Sequence, residues 1–306
     1  MTNNQQYHSY QLHHMLFLAI FLPYASGSLN PCKLLDLTTT QFGHCKKCPI
    51  LPELIDNGIK AGIRLCRQKY RFHRWNCKTN MESSAIRFQA IPIGSKEAAI
   101  RTAYIAATVA RNSVRKCLSG TTLNICPGLN ASTGENMHKH LKRCHRIFGI
   151  VESFLNSARI SDRRRLMEEH NHRVAIHAIK KIVKVHCNYF GEMSIISTCF
   201  FHIPSDKDIK RIIINLVKKA MFAKSSAKDP QTGLKTKLVI KINNSRARLP
   251  KLNELIYIDP SPDYCVKNKK YRITGVAGRR CHLYAKAGEI SCEEMCCDYG
   301  YHITKS

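Results

Sequence analysis

Long apolar runs are nearly missing from this 306-residue chain. The longest, Met15 to Tyr24 (MLFLAIFLPY), falls well short of the roughly 20 consecutive apolar residues that cross a bilayer, so no transmembrane span is expected. Acidic residues are scarce: 21 Asp and Glu stand against 49 Lys and Arg, a formal charge of +28. Such a field attracts polyanions at long range, whether nucleic acid, anionic lipid or sulfated glycan. Internal repeats and low-complexity tracts are absent, which leaves no repeat array to consider. Tryptophan occurs once, as Trp75. Before Ser28 there is no Lys, Arg, Asp or Glu, so the whole charge belongs to the rest of the chain. Residues 236–306 hold 13 basic and 7 acidic side chains, a net of +6, which places +22 between Ser28 and Lys235.

The run at Met15–Tyr24 has the length of a signal-peptide core and is followed by the small residues Ala25, Ser26 and Gly27. Cleavage near Gly27 is expected, although only His8, His13, His14 and the free amine precede the run; an uncleaved anchor is the alternative. The expected product is secreted, extracellular or matrix-bound, and outside the cell sulfated glycan is the fitting polyanion rather than nucleic acid. Cysteine is abundant, with 15 in all. Cys265, Cys281, Cys292, Cys296 and Cys297 crowd into one short stretch that lacks a long apolar run. A segment that small does not fold by packing alone and needs cross-links. Zinc gathers thiolates too, but an exported chain favours disulfides. Cys45-Lys-Lys-Cys48 has zinc-knuckle spacing without a matching second pair, so neither metal nor cofactor is expected. The odd count leaves at least one thiol without an internal partner.

Apolar spacing at Leu54, Ile55, Ile59, Ile63 and Cys66 predicts a helix over Pro49–Lys69. A second opens at Ser95 and runs through Ala98, Tyr104, Ile105 and Val109 to end near Cys117. Cys126 to Glu135 reads as loop, Met137–Leu155 as a third helix and Asp162–Val185 as a fourth with Ala175, Ile179, Ile182 and Val183 inward. Cys187–His202, rich in β-branched and aromatic residues, predicts a hairpin. Ser205 and Asp208 form a capping-box signal for a fifth helix buried through Ile209, Ile212, Ile213, Leu216 and Val217. Leu234 to Asn253 reads as an extended linker after the turn Asp229–Gly233. His170, His172, His177, His186 and His202 read as surface residues, and no nucleophile–base pairing is visible, so no catalytic residue and no enzyme activity are expected. Trp75 is expected to anchor the core beside Cys77.

The string Arg74-Trp75-Asn76-Cys77, with Cys66 eleven residues before its cysteine, resembles the Wnt family. So do Ser261-Pro262-Asp263-Tyr264-Cys265, Gly278-Arg279-Arg280-Cys281, and Cys292-x3-Cys296-Cys297 before Gly300-Tyr301-His302. Ala98–Cys117 looks like the family helix before its Arg-x-Cys, and Glu168-Glu169-His170-Asn171 like its "x-H-N" helix start. The resemblance runs in order from about Cys32 to His302. It implies an α+β fold: a mainly helical N-terminal domain with protruding β-hairpins over 28–235, a linker over 236–258 and a small disulfide-rich C-terminal domain over 259–306, after a signal peptide over 1–27. It also implies a secreted ligand that grips the cysteine-rich domain of Frizzled-type receptors, with a co-receptor, through an acylated Ser on a thumb hairpin and through a finger hairpin near the C-terminus.

The departures from the family pattern carry equal weight. Aligning back from Thr198-Cys199-Phe200 sets Cys187 at the second thumb cysteine, Val185 where the first belongs, Gly191 at the acylated Ser and Ser194 at the third cysteine. Glycine offers no hydroxyl, so no lipid is expected at Gly191, and Ser194 is only a weak substitute acceptor. Each thumb bridge loses one partner, and Cys187 and Cys199 are left to pair with each other or stay free; opposite hairpin positions permit the pairing. Family members continue past the Gly-Tyr-His into the finger, and this sequence stops at Ser306, as expected of a fragment or of a ligand lacking that contact. The resemblance implies Cys265–Cys297 and Cys281–Cys292, with Cys296 unpaired. Upstream it leaves Cys66–Cys77, Cys117–Cys126 and Cys32–Cys45 as plausible pairs. Pro127 and Gly128 replace the Gly-Cys whose thiol would meet Cys144, so Cys144 is expected free and Cys48 supernumerary.

Asn130 and Asn243 open glycosylation sequons. The expected receptor-facing hairpin residues are Phe190, Gly191, Glu192 and Met193. The polyanion candidates are Lys207, Lys210, Arg211, Lys218, Lys219 and Lys224, within a basic stretch reaching Lys241. Two alternatives stay open: a degenerate or truncated family member without receptor activation, and a basic disulfide-rich polyanion binder whose binding collapses with salt.

Overall fold

The computed structural model describes residues 32, 37–77, 91, 93–120, 126, 129, 136–156, 162–190, 196–225, 237–242, 246–285 and 289–303. The expected signal peptide, both sequons and the hairpin tip at 191–195 lie outside them, as does the Phe190 side chain. Helices α1 (Thr39–Lys47), α2 (Leu51–Tyr70), α3 (Lys96–Leu118), α4 (Met137–Cys144), α5 (Arg146–Asn156) and α6 (Asp162–Ile182) lead into strands β1 (Lys184–Phe190) and β2 (Ile196–His202). Helix α7 (Asp206–Lys218), short strands β3 (Met221–Phe222), β4 (Lys224–Ser225), β5 (Leu238–Lys241), β6 (Ala247–Arg248) and β7 (Ile256–Tyr257), and helix α8 (Cys292–Cys296) follow. The α+β reading holds, with most of the core helical.

Helix α3 is the axis of the molecule. Of its residues, Ala98–Ala110 are buried without a break, because α2, α5, α6 and α7 all pack on it. Small residues make the closest approach possible. A Cβ at Gly58 would lie 2.6 Å from Val109 Cα, and one at Gly62 would lie 2.7 Å from Ile105 Cα. Glycine costs helix stability, and here the cost is offset by close backbone packing. Thr108 Oγ1 donates across the seam to Gly58 O at 2.8 Å.

The capping box expected at Ser205 is present: Ser205 Oγ accepts from Asp208 N, and Asp208 accepts from Ser205 N. Asp206 on the same turn takes the buried Arg111 guanidinium of α3 at 2.8 Å, which fixes the angle of α7. The third expected helix is two helices, α4 and α5, separated at His145. The fourth stops at Ile182, and Lys184 and Val185 are already strand.

The segment expected as a linker is extended but packed. Leu238, Ile240, Ile256 and Ile258 are buried with Ala98 and Met167, because their apolar side chains face the helices rather than water. The Glu168-Glu169-His170-Asn171 string makes this junction and lies inside α6 rather than at its start. Asn171 Nδ2 donates to Ile256 O and its Oδ1 accepts from Ile256 N, both at 2.9 Å, so a side-chain amide completes the edge of β7. The His170 ring meets Glu254 O at 2.9 Å.

Histidines His170 and His172 correct the surface reading. His172 is only 7% exposed, with Nδ1 2.8 Å from Asn156 Oδ1. Burial drives its pKa down to about 4, so it sits neutral in the core. The face of α6 that packs on α3 and α5 is wide enough to include it. His186 and His202 are exposed.

Seven disulfides join the described cysteines. Cys32–Cys45, Cys66–Cys77, Cys187–Cys199, Cys265–Cys297 and Cys281–Cys292 are bonded. The expected pair Cys117–Cys126 is not formed, and neither Cys48 nor Cys144 is free. Cys117 bonds Cys144, and Cys126 bonds Cys48. The last turn of α4 lies against the last turn of α3, with 5.7 Å between the Cys117 and Cys144 Cα atoms, so Cys117 pairs with a residue 27 positions away. Cys126 meets the buried Cys48 at the α1–α2 junction instead. Cys296 has a free thiol.

Candidate interaction hairpin and the clamp of the C-terminal segment

Strands β1 and β2 pair antiparallel from Lys184↔His202 out to Phe190↔Ile196. Side chains alternate across such a ribbon. Val185 and Phe201 face each other at the root and pack on the helical core, where the His140 ring lies 5.8 Å from Phe201. Two residues further out on the same face, Cys187 and Cys199 are directly opposite, their Cα atoms 4.1 Å apart and bonded. The other face carries the exposed pair His186 and Phe200, with ring centroids 5.3 Å apart. Beyond the bridge Tyr189 is 64% exposed, and among the described residues no third strand joins this sheet. A two-stranded ribbon is marginal by itself in water, so the root contacts and the bridge hold this one in a single shape.

The basic run is dispersed by comparison. Lys207, Arg211 and Lys218 are exposed and share one face of α7 by helical spacing. Arg211 is paired with Asp208, and Lys210 donates to Gln68 Oε1 at 3.1 Å. Lys219 and Lys224 lie beyond the helix end, both exposed. Asp206 and Asp208 in the first turn divide the charge further.

Sequence reasoning missed the role of Arg279. Its guanidinium donates to Arg74 O at 2.6 Å, to Arg71 O at 3.0 Å and to His73 O, gripping the turn that leads into Cys77. Arg74 Nε returns a bond to Glu294 O at 2.8 Å, and the Phe72 and His282 rings lie 4.0 Å apart. Two motifs read separately in the sequence are thus one joint. Planar multi-donor recognition of carbonyls suits arginine and not lysine. Arg279→Ala is expected to cost about 2 kcal/mol, since each hydrogen bond to a charged group is worth roughly 1.5–3 kcal/mol and part is regained by water. Arg279→Lys should recover only part of this. Urea unfolding of the purified protein checks it. A loss under about 0.5 kcal/mol, no larger than that of an ordinary surface substitution, would refute the clamp.

Cys45 and Cys48 are both engaged in disulfides with separate partners. Among the described residues no helix is long and apolar enough to cross a membrane.

The chain is 28% identical to Wnt-5b of Mus musculus over 284 residues, covering 86% of this chain and 76% of that protein. It is 29% identical to Wnt-5a of Xenopus laevis over 303 residues and 30% identical to Wnt-5a of Mus musculus over 313; each match covers 92% of this chain and 76% of the relative. A solved structure of human WLS in complex with WNT8A shares the fold with a TM-score of 0.58 at 22% identity, covering 82% of this chain and 80% of that one. The wnt family model matches residues 33–306. With the family's cysteine-bearing strings set in order along α2, α3, the hairpin and the C-terminal segment, this match makes the chain a member of the Wnt family.

Proposed function

We propose that the chain is a secreted, non-catalytic Wnt-type ligand that binds the cysteine-rich domain of a Frizzled-type receptor together with a co-receptor. It carries no fatty acid at the family position. The observation that carries this reading is the hairpin, rooted on the core through Val185 and Phe201 and braced by Cys187–Cys199. Phe190, Gly191, Glu192 and Met193, which follow Tyr189 in sequence, are the residues proposed to meet the receptor. Gly191 has no oxygen to esterify, and a buried acyl chain would otherwise supply roughly 0.8 kcal/mol per CH₂. Receptor binding then rests on protein contacts alone. Seven disulfides fit an oxidising, extracellular setting. The net positive charge suits retention on heparan sulfate.

Two measurements on secreted protein test the reading. Intact mass is expected to show no mono-unsaturated C16 addition, and finding one would refute the unlipidated ligand. Binding to a panel of Frizzled-type ectodomains is expected at micromolar protein or below with selectivity among them. Absence of binding to every member would favour a degenerate ligand instead.

A further inference from the structure

A disulfide is opened by a thiolate that attacks one of its sulfurs, so access and charge around the sulfurs decide which bridge reacts. The four bridges of the helical body are closed to that attack, for none of their cysteines is more than 3% exposed. Cys292 is buried too, which shields one side of the Cys281–Cys292 pair. Two bridges have both cysteines half-exposed: Cys187–Cys199 in the β1–β2 ribbon and Cys265–Cys297 in the C-terminal segment. Charge separates these two. Asp263 Oδ1 accepts from Cys265 N at 2.8 Å, and Glu293, Glu294 and Asp298 all stand within four positions of Cys297. Carboxylates so placed repel an incoming thiolate. No carboxylate is among the described residues of the ribbon, and Lys184 is exposed three positions from Cys187. Positive charge beside a sulfur favours the thiolate that arrives and the one that leaves.

The ribbon also opens locally. Among the described residues no third strand joins it, and Val185 and Phe201 hold its root on the core, so the two sulfurs separate without disturbing α3. Its register sets Cys187 directly opposite Cys199, which keeps the thiols together for reclosure. We propose that Cys187–Cys199 is a redox-modification site, the substrate of a dithiol protein of the Cys-x-x-Cys class. One thiolate of that protein attacks a bridge sulfur, forms a mixed disulfide and expels the other cysteine as a thiolate, which takes up a proton. The second thiol of the dithiol then attacks the mixed disulfide and releases the first cysteine. In sum the bridge gains two electrons and two protons, and the dithiol becomes a disulfide. The site itself stands on access and charge; only its consequence, loss of the frame for the residues proposed to meet the receptor, rests on the ligand reading.

The test is timed reduction of the purified chain by reduced thioredoxin under native conditions, with each sample quenched, alkylated and mapped by peptide mass. Cys187 and Cys199 are expected to be labelled together, at least about tenfold faster than Cys265 and Cys297 and ahead of every bridge in the helical body. Cys296, which has a free thiol, should be labelled from the start. Cys296→Ser, run alongside, removes any internal exchange by that thiol and should keep the same order. Amide exchange over 186–200 is expected to rise in step with the labelling while α3 stays protected, and reoxidation should reverse it. Opening of Cys265–Cys297 first, or of all bridges together, would overturn the site. Selective labelling with unaltered exchange in the ribbon would overturn its release. Binding of the selectively reduced chain to a Frizzled-type ectodomain should fall by about 30-fold, since the receptor must then order the ribbon. If the oxidised parent binds no ectodomain, the ligand reading fails, while the order of labelling still decides the redox site.

Discussion

Replacing Cys187 and Cys199 together by serine is expected to weaken binding to a Frizzled-type ectodomain by about 30-fold, or roughly 2 kcal/mol, with little change in the thermal midpoint of the helical body. The bridge spans 12 positions of sequence and sits between the core-packed root at Val185–Phe201 and the outer end. Closing a loop of that size removes about 3 kcal/mol of chain entropy from the open ribbon. Without the bridge the ribbon beyond the root is a free two-stranded hairpin, which is marginal in water, and the receptor must order it at the expense of affinity. Amide exchange over 186–200 should accelerate by about 100-fold, while α3 stays protected. A double variant that binds as the parent does, with unaltered exchange in the hairpin, would show that the bridge does not shape the site. A fall in global stability of more than about 2 kcal/mol, the loss typical of removing a structural disulfide, would show instead that it belongs to the core.

Stability is expected to fall as pH drops from 7.5 to 4.5, with His172 contributing about 2.5 kcal/mol of the loss. In the folded protein its pKa is lowered to about 4 by burial, whereas the unfolded chain titrates near 6.5. The unfolded state therefore binds a proton first. The stabilisation is whole above about pH 6.5, declines as pH falls toward 4, and flattens below it. His145 and His170 are shifted the same way by burial and add to the slope. His172→Gln, which keeps a hydrogen-bonding group near Asn156 Oδ1 without a titrating ring, should flatten the profile over that window. Urea midpoints at pH 7.5, 6 and 4.5 for both proteins check it, and parallel curves would exclude His172 as the origin. A ligand exported through acidified compartments would thus be least stable there.

The helices were legible where packing is local. Leu54, Ile55, Ile59 and Ile63 set α2, and Ser205 with Asp208 set the start of α7, because periodicity and capping depend on neighbours a few residues apart. The hairpin was legible for the same reason, down to the facing of Cys187 and Cys199. The break at His145 was not, since Met137–Asn156 keeps its apolar spacing through the corner and only the Cys117–Cys144 tie shows why the chain turns there. Arg279 looked like one basic residue of a short motif. Nothing near it in sequence points to carbonyls more than 200 positions earlier.

The sequence alone determined the family, the helical framework, the two-stranded ribbon and the absence of a hydroxyl at Gly191, since these rest on residue identity and short-range spacing. Tertiary structure decided which thiols meet, which histidines lose water and which segment is packed rather than free. Those outcomes follow from distances between residues far apart in the chain, and such distances are fixed only once α3 has gathered its neighbours.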